Sequence, residues 1–208
     1  MESISKGLEE RVEEELQRQR IQDRRDRRKK SMKVLREILG WVLYIFAVIL
    51  VTYLIVTYVG QRTKVSGPSM EETLHDGDNL IVDKISYRFR DPERFDIIVF
   101  PYQYAEDTYY IKRIIGMPGD IIQIKDGYVY INNELLEEDV YGKELIDETK
   151  KGIADEPITL GEDEYFVMGD NRNHSSDSRD PSVGVLNRSQ LIGRAWVRVY
   201  PFESFEVF

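Results

Sequence analysis

Few residue types in this chain could carry out chemistry, because it has no cysteine and only two histidines. The lack of cysteine excludes a cysteine nucleophile, a thiolate zinc site and a disulfide framework. His75 and His174 lie among polar turn residues, but a Ser-His-Asp triad assembles in space and is not excluded by spacing. The sequence contains no zinc-protease motif, metal-ligand cluster, Walker motif or dinucleotide-binding glycine pattern. We therefore expect no metal and no cofactor.

A serine activated by a lysine is the remaining combination. A lysine accepts a proton only when it is neutral, which at neutral pH requires apolar surroundings that lower its pKa by several units. Lys112 fits this requirement best, because it lies in the apolar run 109–115. Ser69, in the turn 66–70 just after a long apolar run, is the candidate nucleophile. Taken singly, such a serine is an ordinary turn residue and such a lysine an ordinary residue of an edge strand.

The elements that must position these two residues are mainly β-strands. Short runs rich in Ile, Val, Tyr and Phe alternate with Gly, Pro, Asp and Asn, which is typical of strands and turns. Residues 125–127 are a hairpin signal, 189–191 suit a short helical turn, and the acidic segment 134–157 is predicted to be an excursion between strands. The predicted strands are 79–82, 96–100, 109–115, 120–124, 128–131, 164–168 and 195–200. The fold class predicted for residues 60–208 is therefore mainly β.

A long uncharged run, residues 38–59, precedes the β-rich part. At about 1.5 Å rise per residue, a helix of this length spans the roughly 30 Å hydrocarbon core of a bilayer. Trp41 and Tyr58 lie near its two ends, where amphipathic rings prefer to sit. It is predicted to be a transmembrane helix. Residues 1–37 are dense in Glu and Arg and are predicted to form an exposed helix.

Charge is distributed unevenly around the apolar run, although the net charge is −9. Basic residues crowd together between residues 17 and 37, whereas acidic residues outnumber basic ones after the run. The positive-inside rule therefore predicts a single-pass protein of the cell membrane, with a cytoplasmic N terminus and an extracytoplasmic β domain. Nucleic acid is an alternative partner for the basic cluster, but contact with the lipid bilayer already explains it. We expect no nucleic-acid partner and a monomeric chain.

Four sequence blocks occur in one order between the apolar run and the C terminus. They are SGPSM at 66–70 with Thr73-Leu74, DIIVF at 96–100, KRIIGMPGD at 112–120, and GDNRN at 169–173 with Ser175, Asp177, Ser178 and Arg179. Together they resemble the type I signal peptidases, in particular the short single-anchor form of Gram-positive bacteria. The resemblance implies a membrane-bound serine endopeptidase that cuts signal peptides from exported preproteins after a small residue. It also implies a LexA-like β catalytic domain whose active site lies close to the lipid.

The resemblance also assigns roles to residues in these blocks. Ser69 would be the nucleophile and Lys112 the general base. Ser175 would orient and desolvate the base, and Asp177 and Arg179 would form an ion pair that holds the last block in place. Without the resemblance, these loop residues are explained as a polar turn.

Two positions depart from the family pattern, and both lie close to Ser69. Some relatives have a hydroxyl residue where this chain has Gly67, so a second oxyanion donor is either missing or supplied by another residue, for example Ser66. The family usually has a proline where this chain has Glu72, which could loosen the site or change its specificity. Met70 would pack beneath the site.

The substrate is expected to bind as an added strand beside residues 64–68 and 109–111. The expected substrate-binding residues are Val65, Ser66, Pro68, Tyr110 and Ile111. Two further hypotheses belong to other functional classes. One is a catalytically weak or inactive relative that acts as a membrane-anchored binding or assembly factor. The other is a self-cleaving Ser/Lys regulator, which would need a DNA-reading domain and which the transmembrane run argues against.

Overall fold

The computed structural model describes the backbone of residues 2–58, 60–137, 140–142 and 144–208. Side chains in the long helix are described at residues 22, 24, 25 and 27–54. The chain divides into two compact units between Leu54 and Ile55. Val59 at the end of the predicted span and residues 138, 139 and 143 of the acidic segment lie outside the described residues.

One helix, α1 (Glu2–Tyr58), contains both the charged segment and the apolar run. The two segments predicted at 1–37 and 38–59 therefore form one continuous helix as far as Tyr58. Its stretch Arg27–Leu54 is long and apolar enough to cross a membrane. No residue in the most apolar part of this stretch is buried by other described residues. Such a surface needs another apolar medium, which the core of a bilayer supplies.

The described residues after the helix form twelve β-strands. They are β1 (Gly60–Lys64), β2 (Asn79–Asp83), β3 (Ile97–Pro101), β4 (Tyr109–Gly116), β5 (Ile121–Lys125), β6 (Tyr128–Ile131), β7 (Glu134–Leu135), β8 (Ile158–Thr159), β9 (Glu164–Met168), β10 (Leu186–Asn187), β11 (Gly193–Tyr200) and β12 (Glu206–Val207). The mainly β fold class predicted from the sequence is confirmed. All seven predicted strands are present, with ends that differ by at most two residues.

The strands form two antiparallel sheets. The larger sheet has the order β1-β2-β11-β3-β4-β9-β10, and β12 pairs with β11. The smaller sheet has the order β7-β6-β5-β8. Its β5–β6 hairpin turns at Asp126 and Gly127, whose φ angles of 50° and 81° are both positive, as a tight hairpin turn requires. The predicted turn at 189–191 is a short 3-10 helix, Arg188–Gln190.

Apolar side chains are buried on both faces of the larger sheet. On β3, Ile97 and Val99 belong to one buried cluster. Ile98 and Phe100 belong to a second buried cluster. This alternation is expected of a strand that is covered on both sides. Met70, from the turn between β1 and β2, belongs to the first cluster and is 1% exposed.

The acidic segment 134–157 packs on the smaller sheet at two points. Ile146 and Ala154 are buried in the third apolar cluster, which also contains residues of β5 and β6. This segment also contains the short strand β7 and the 3-10 helices Glu148–Lys150 and Gly152–Asp155. The described parts of the predicted excursion are therefore anchored to the domain.

Candidate active site

Ser69 and Lys112 come together within the β-rich domain. Lys112 Nζ donates a 2.8 Å hydrogen bond to Ser69 Oγ and a 2.9 Å bond to the carbonyl oxygen of Ile111. The two residues are 43 positions apart in the sequence. Ser69 is carried by the turn between β1 and β2, and Lys112 is carried by β4.

Burial lowers the pKa of the Lys112 ammonium group from 10.5 to about 8. The residue is only 4% exposed, and removing its charge from water is the largest cause of the shift. The carboxylates of Asp177 and Asp170 oppose the shift, whereas the Arg179 guanidinium adds to it. With a pKa near 8, about one lysine in ten is neutral at pH 7.

Backbone hydrogen bonds fix the turn that carries Ser69. At its base, Val65 N donates to Asp78 O at 2.8 Å and Gly77 N donates to Val65 O at 3.0 Å. Gly67 has a φ of +90°, a backbone conformation that side chains with a Cβ rarely adopt. Its N–H donates to the Asp76 carboxylate at 2.9 Å.

The segment after Ser69 is also closed by hydrogen bonds, although it contains Glu72 where the resemblance implies a proline. Thr73 N and Leu74 N both donate to Met70 O, at 2.9 and 2.8 Å. Glu72 itself is exposed to solvent.

The loop 169–179 holds the Ser69 turn from the other side. Asn171 N donates to Ser69 O at 3.2 Å, and Asn171 Nδ2 donates to Pro68 O at 3.1 Å. Gly169 lies so close that a Cβ there would overlap with the Ser69 carbonyl oxygen and with Ser175 Oγ. Only glycine fits at this position without displacing the turn.

Two buried ion pairs stabilise this loop. Asp177 pairs with Arg179 at 2.8 Å and also accepts a 3.0 Å bond from Gly169 N. Asp170 accepts two bonds from Arg113, at 2.8 and 2.7 Å. All four charged side chains of the two pairs are at most 4% exposed. A buried charge must be paired in this way, because an unpaired one costs several kcal/mol.

Ser175 lies next to these groups but does not bond to Lys112. Its Oγ is buried and has no hydrogen-bond partner among the described residues. The orienting hydrogen bond to the lysine that the resemblance implied is therefore not formed in this structure. The two bonds of Lys112 Nζ that the structure contains go to Ser69 and to the carbonyl of Ile111.

A groove of about 230 Å³ opens beside Ser69. The five expected substrate-binding residues, Val65, Ser66, Pro68, Tyr110 and Ile111, all line it, together with Lys112 and Ser176. On one side, residues 109–112 of β4 pair with β3, and the pairing with β9 begins only at Arg113. Among the described residues, the other edge of 109–112 has no strand partner. The groove therefore contains a backbone edge with which an extended peptide can pair.

The sequence did not predict a role for four polar residues around the site. Arg113, Asp170, Asn171 and Thr73 bind one another or the Ser69 turn, and Thr73 Oγ1 donates to Asp170 Oδ2 at 2.5 Å. All four lie in the blocks that carry the family resemblance. An arginine in the middle of an apolar strand is the one local signal from which a buried acidic partner could have been inferred. No group of His or acidic side chains suited to a metal ion occurs within the described ranges.

Comparison with known proteins identifies similar sequences. The family model for "Signal peptidase, peptidase S26" matches residues 38–200. Probable signal peptidase I-2 of Synechocystis sp. is 41% identical over 151 residues, which covers 70% of this chain and 65% of that protein. Signal peptidase I P of Bacillus subtilis subsp. natto is 32% identical over 188 residues, which covers 86% of this chain and 95% of that protein. A signal peptidase I of known structure from Enterococcus faecalis is 32% identical and aligns over 50% of this chain and 97% of its own, with a TM-score of 0.42.

Proposed function

Because this chain belongs to the signal peptidase family, peptidase S26, we propose that it is a membrane-bound serine endopeptidase that removes signal peptides from exported preproteins. The observation that carries this proposal is the 2.8 Å contact between Lys112 Nζ and Ser69 Oγ. The buried lysine has a pKa of about 8, which is close to the value that suits a general base at neutral pH. No observation favours the alternative of a non-catalytic binding factor.

In the proposed mechanism, neutral Lys112 accepts the hydroxyl proton of Ser69 while Oγ attacks the scissile carbonyl carbon. The protonated lysine then donates this proton to the leaving amine as the peptide bond breaks, which leaves an acyl ester on Ser69. Neutral Lys112 next accepts a proton from a water molecule, which attacks the ester. The lysine returns the proton to Ser69 Oγ as the carboxylate product leaves.

The oxyanion that develops in both steps requires hydrogen-bond donors. The backbone N–H of Ser69 is the first proposed donor. Gly67 supplies no side-chain donor, because it has none. Ser66 is exposed and lines the groove, so its hydroxyl is our candidate for the second donor. Loss of one such donor typically lowers kcat by about 10²–10³-fold.

The proposed substrate complex is a β-strand added in the groove. The preprotein would lie between residues 64–68 and the unpaired edge of 109–111, with its backbone bonded to both. Met70 and Ile111 are buried and line the groove, and their proposed role is to select small residues before the scissile bond.

We further propose that the chain is a monomer anchored by α1 in the cell membrane. The basic residues between 17 and 37 would keep the N terminus cytoplasmic, and residues 60–208 would be extracytoplasmic. This orientation places the peptidase domain on the side to which preproteins are exported. Lipid contact would then be made by the apolar part of α1.

The test is cleavage of a preprotein by the wild-type chain and by Ser69→Ala and Lys112→Ala in detergent or lipid. Either substitution removes a group that takes part in both proton transfers, so we expect a rate loss of at least about 10³-fold. Ser182→Ala and Lys125→Ala are matched controls, because both residues lie outside the groove. Undiminished cleavage by Ser69→Ala or Lys112→Ala would rule out the assignment. A wild-type chain that neither cleaves nor is acylated at Ser69 by a penem would favour the binding-factor hypothesis.

A further inference from the structure

A segment outside the proposed catalytic groups contacts the loop that holds the Ser69 turn. We call residues 141–153, without residue 143, the clamp. Both polar atoms of the Asn173 side-chain amide bond to the clamp. Nδ2 donates to Leu145 O, and Oδ1 accepts from Asp147 N, each at 2.9 Å. These bonds tie the acidic segment to the loop 169–179 through backbone atoms.

The far end of the clamp is bound to the same loop. Ile153 N donates to Arg179 O at 2.9 Å, and Arg179 Nη1 donates to Lys150 O at 3.2 Å. Gly152 lies against the Arg179 carbonyl so closely that a Cβ there would overlap with it. The guanidinium of Arg179 is also the partner of Asp177, so the clamp reaches one of the two buried ion pairs.

Tyr141, at the near end of the clamp, reaches the other buried ion pair. The Arg113 guanidinium carbon lies 3.5 Å from the centre of the Tyr141 ring. In the plane of that guanidinium, hydrogen bonds go to Asp170 and to the carbonyl oxygen of Phe95. The Phe95 ring packs against Tyr141, with 5.5 Å between ring centroids. The Tyr141 ring therefore covers one face of the Arg113 guanidinium, whose N–H groups already donate hydrogen bonds. It thereby keeps water away from the Arg113–Asp170 ion pair.

A continuous series of contacts leads from this guanidinium to the nucleophile turn. Arg113 holds Asp170, which accepts a hydrogen bond from Thr73 Oγ1 in the segment after Ser69. The residue after Asp170 is Asn171, which donates to the carbonyl oxygens of both Pro68 and Ser69. A shift of Asp170 would therefore move the Ser69 turn from two sides.

We propose that Tyr141 is a positioning residue for the peptidase reaction, because its ring fixes Arg113 and Asp170 and thereby the place of Ser69 Oγ against the scissile carbonyl. This inference rests on the proposed function. It assigns a part in catalysis to the acidic segment 134–157, although no described residue of this segment lines the groove. The ring provides the contact, so the hydroxyl of Tyr141 is not required.

The test compares Tyr141→Leu and Tyr141→Phe in the full-length chain, with a peptide substrate in detergent or lipid. We expect Tyr141→Leu to lower kcat by about 10–100-fold with KM changed less than about twofold, since a misplaced nucleophile affects the transition state. Tyr141→Phe keeps the ring and should retain most of the rate. Titration of Ser69 with a penem gives the active fraction, so that a loss of folded protein is not counted as a lower kcat. If Tyr141→Leu fails to fold, Tyr141→Gln replaces it, because a polar side chain suits this partly exposed position.

Tyr128 provides the matched control, because it lies on β6 of the same domain, is 49% exposed and is outside the clamp. Tyr128→Leu should cleave at the wild-type rate. Three results would overturn the inference: a wild-type kcat for Tyr141→Leu, equal losses for Tyr141→Leu and Tyr141→Phe, or an equal loss for Tyr128→Leu. Failure of the proposed function is distinguishable, since the wild-type chain itself would then not cleave.

Discussion

Lys112 is buried, and the two acidic residues near it already form ion pairs with arginines. Asp177 and Asp170 would both favour its charged form, but each is paired with an arginine at less than 3 Å. Desolvation therefore has the larger effect, and it lowers the Lys112 pKa from 10.5 to about 8. The two carboxylates offset the loss of water only in part, and the Arg179 guanidinium adds to the lowering of the pKa.

This burial has a cost in stability that depends on pH. A pKa lowered from 10.5 to about 8 corresponds to a cost of about 3 kcal/mol. Below pH 8 the folded and unfolded chains both hold the proton, so the full cost is present. Between pH 8 and 10.5 the unfolded chain binds more protons at this site, so the Lys112 contribution to the free energy of unfolding rises with pH. Such a cost is consistent with the proposed catalytic role of Lys112, because active sites are often costly for the fold.

We predict that Gly169→Ala impairs both stability and activity. The added Cβ would overlap with Ser175 Oγ and with the Ser69 carbonyl oxygen, so the Ser69 turn must move. We expect the free energy of unfolding to fall by about 1–3 kcal/mol and kcat to fall by about 10²-fold. Denaturant unfolding and peptide cleavage measure the two effects.

Gly161→Ala is the control for this substitution. Its Cβ would lie 3.3 Å from the carboxylate of Glu164, which accepts a 2.8 Å bond from Gly161 N and needs to shift by only a few tenths of an ångström. We expect less than about 0.5 kcal/mol of destabilisation and an unchanged kcat. Equal effects of the two substitutions would mean that the close contact at Gly169 does not position Ser69.

The sequence indicated individual residues of the site better than it indicated their contacts. Ser69 and Lys112 could be chosen because a Ser/Lys pair requires a lysine in an apolar run, and because both lie in the family's blocks. The contact between Thr73 and Asp170 joins residues 97 positions apart, and no local pattern predicts such a contact. The stacking of Tyr141 on Arg113 could not be predicted for the same reason, since it depends on how the acidic segment folds back.

At the scale of elements, β4 serves two different purposes along its length. Its C-terminal half is paired on both sides, with β3 and β9, and it carries buried residues of the core. Its N-terminal half is paired only with β3 among the described strands, and the free edge faces the groove. Lys112 lies where these two halves meet, so it is fixed by the sheet and still reaches Ser69.

This free edge predicts how the substrate backbone is bound. Successive amides of a strand point to opposite edges, so a substrate bonded on both sides donates to residues 109–111 and to residues 64–68 in turn, and each single N-methylation before the scissile bond removes one donor. We expect kcat/KM to fall about tenfold or more where an amide donates to the enzyme, because a hydrogen bond is lost and a methyl group is added. Methylation of an amide that donates to neither segment should have little effect.

A substrate methylated near the N terminus of its signal peptide is the control, since that part lies far from the scissile bond. Cleavage rates for the series of methylated peptides provide the measurement. Rates that equal the control for every peptide methylated before the scissile bond would contradict binding as an added strand.

The strands themselves were predictable where their sequences alternate or form continuous apolar runs. β1 was missed because its sequence, GQRTK, is polar and has a partner strand on one side only. β7, β8, β10 and β12 were missed because two residues are too few for a periodic pattern. Tertiary pairing determines all of these strands, and local propensity contributes little to them.

At the scale of the whole molecule, charge and hydropathy divide the chain into parts with different surroundings. Basic residues precede the apolar part of α1, and the domain that follows is acidic. The division was evident from composition because a membrane span must be long and uncharged. The sequence did not predict that the charged and apolar segments would form one continuous helix, since nothing in a pattern of charges specifies where such a helix is interrupted.

The acidic segment between β7 and β8 belongs to this scale as well. Composition alone suggested an excursion, because the segment has few apolar residues and no clear period. Ile146 and Ala154 are nevertheless buried in a core cluster, and Asn173 and Arg179 bind its backbone. A few well-placed contacts are enough to anchor a segment that composition describes as mostly polar.

The central claim is that neutral Lys112 activates Ser69, and the pH dependence of Ser69 acylation tests it most directly. The measurement is the single-turnover acylation rate of the wild-type chain with a peptide substrate between pH 6 and 10. Because the base must be unprotonated, the rate should rise about tenfold per pH unit below the Lys112 pKa of about 8 and level off above it. A rate that stays constant or falls between pH 6 and 8 would contradict the account.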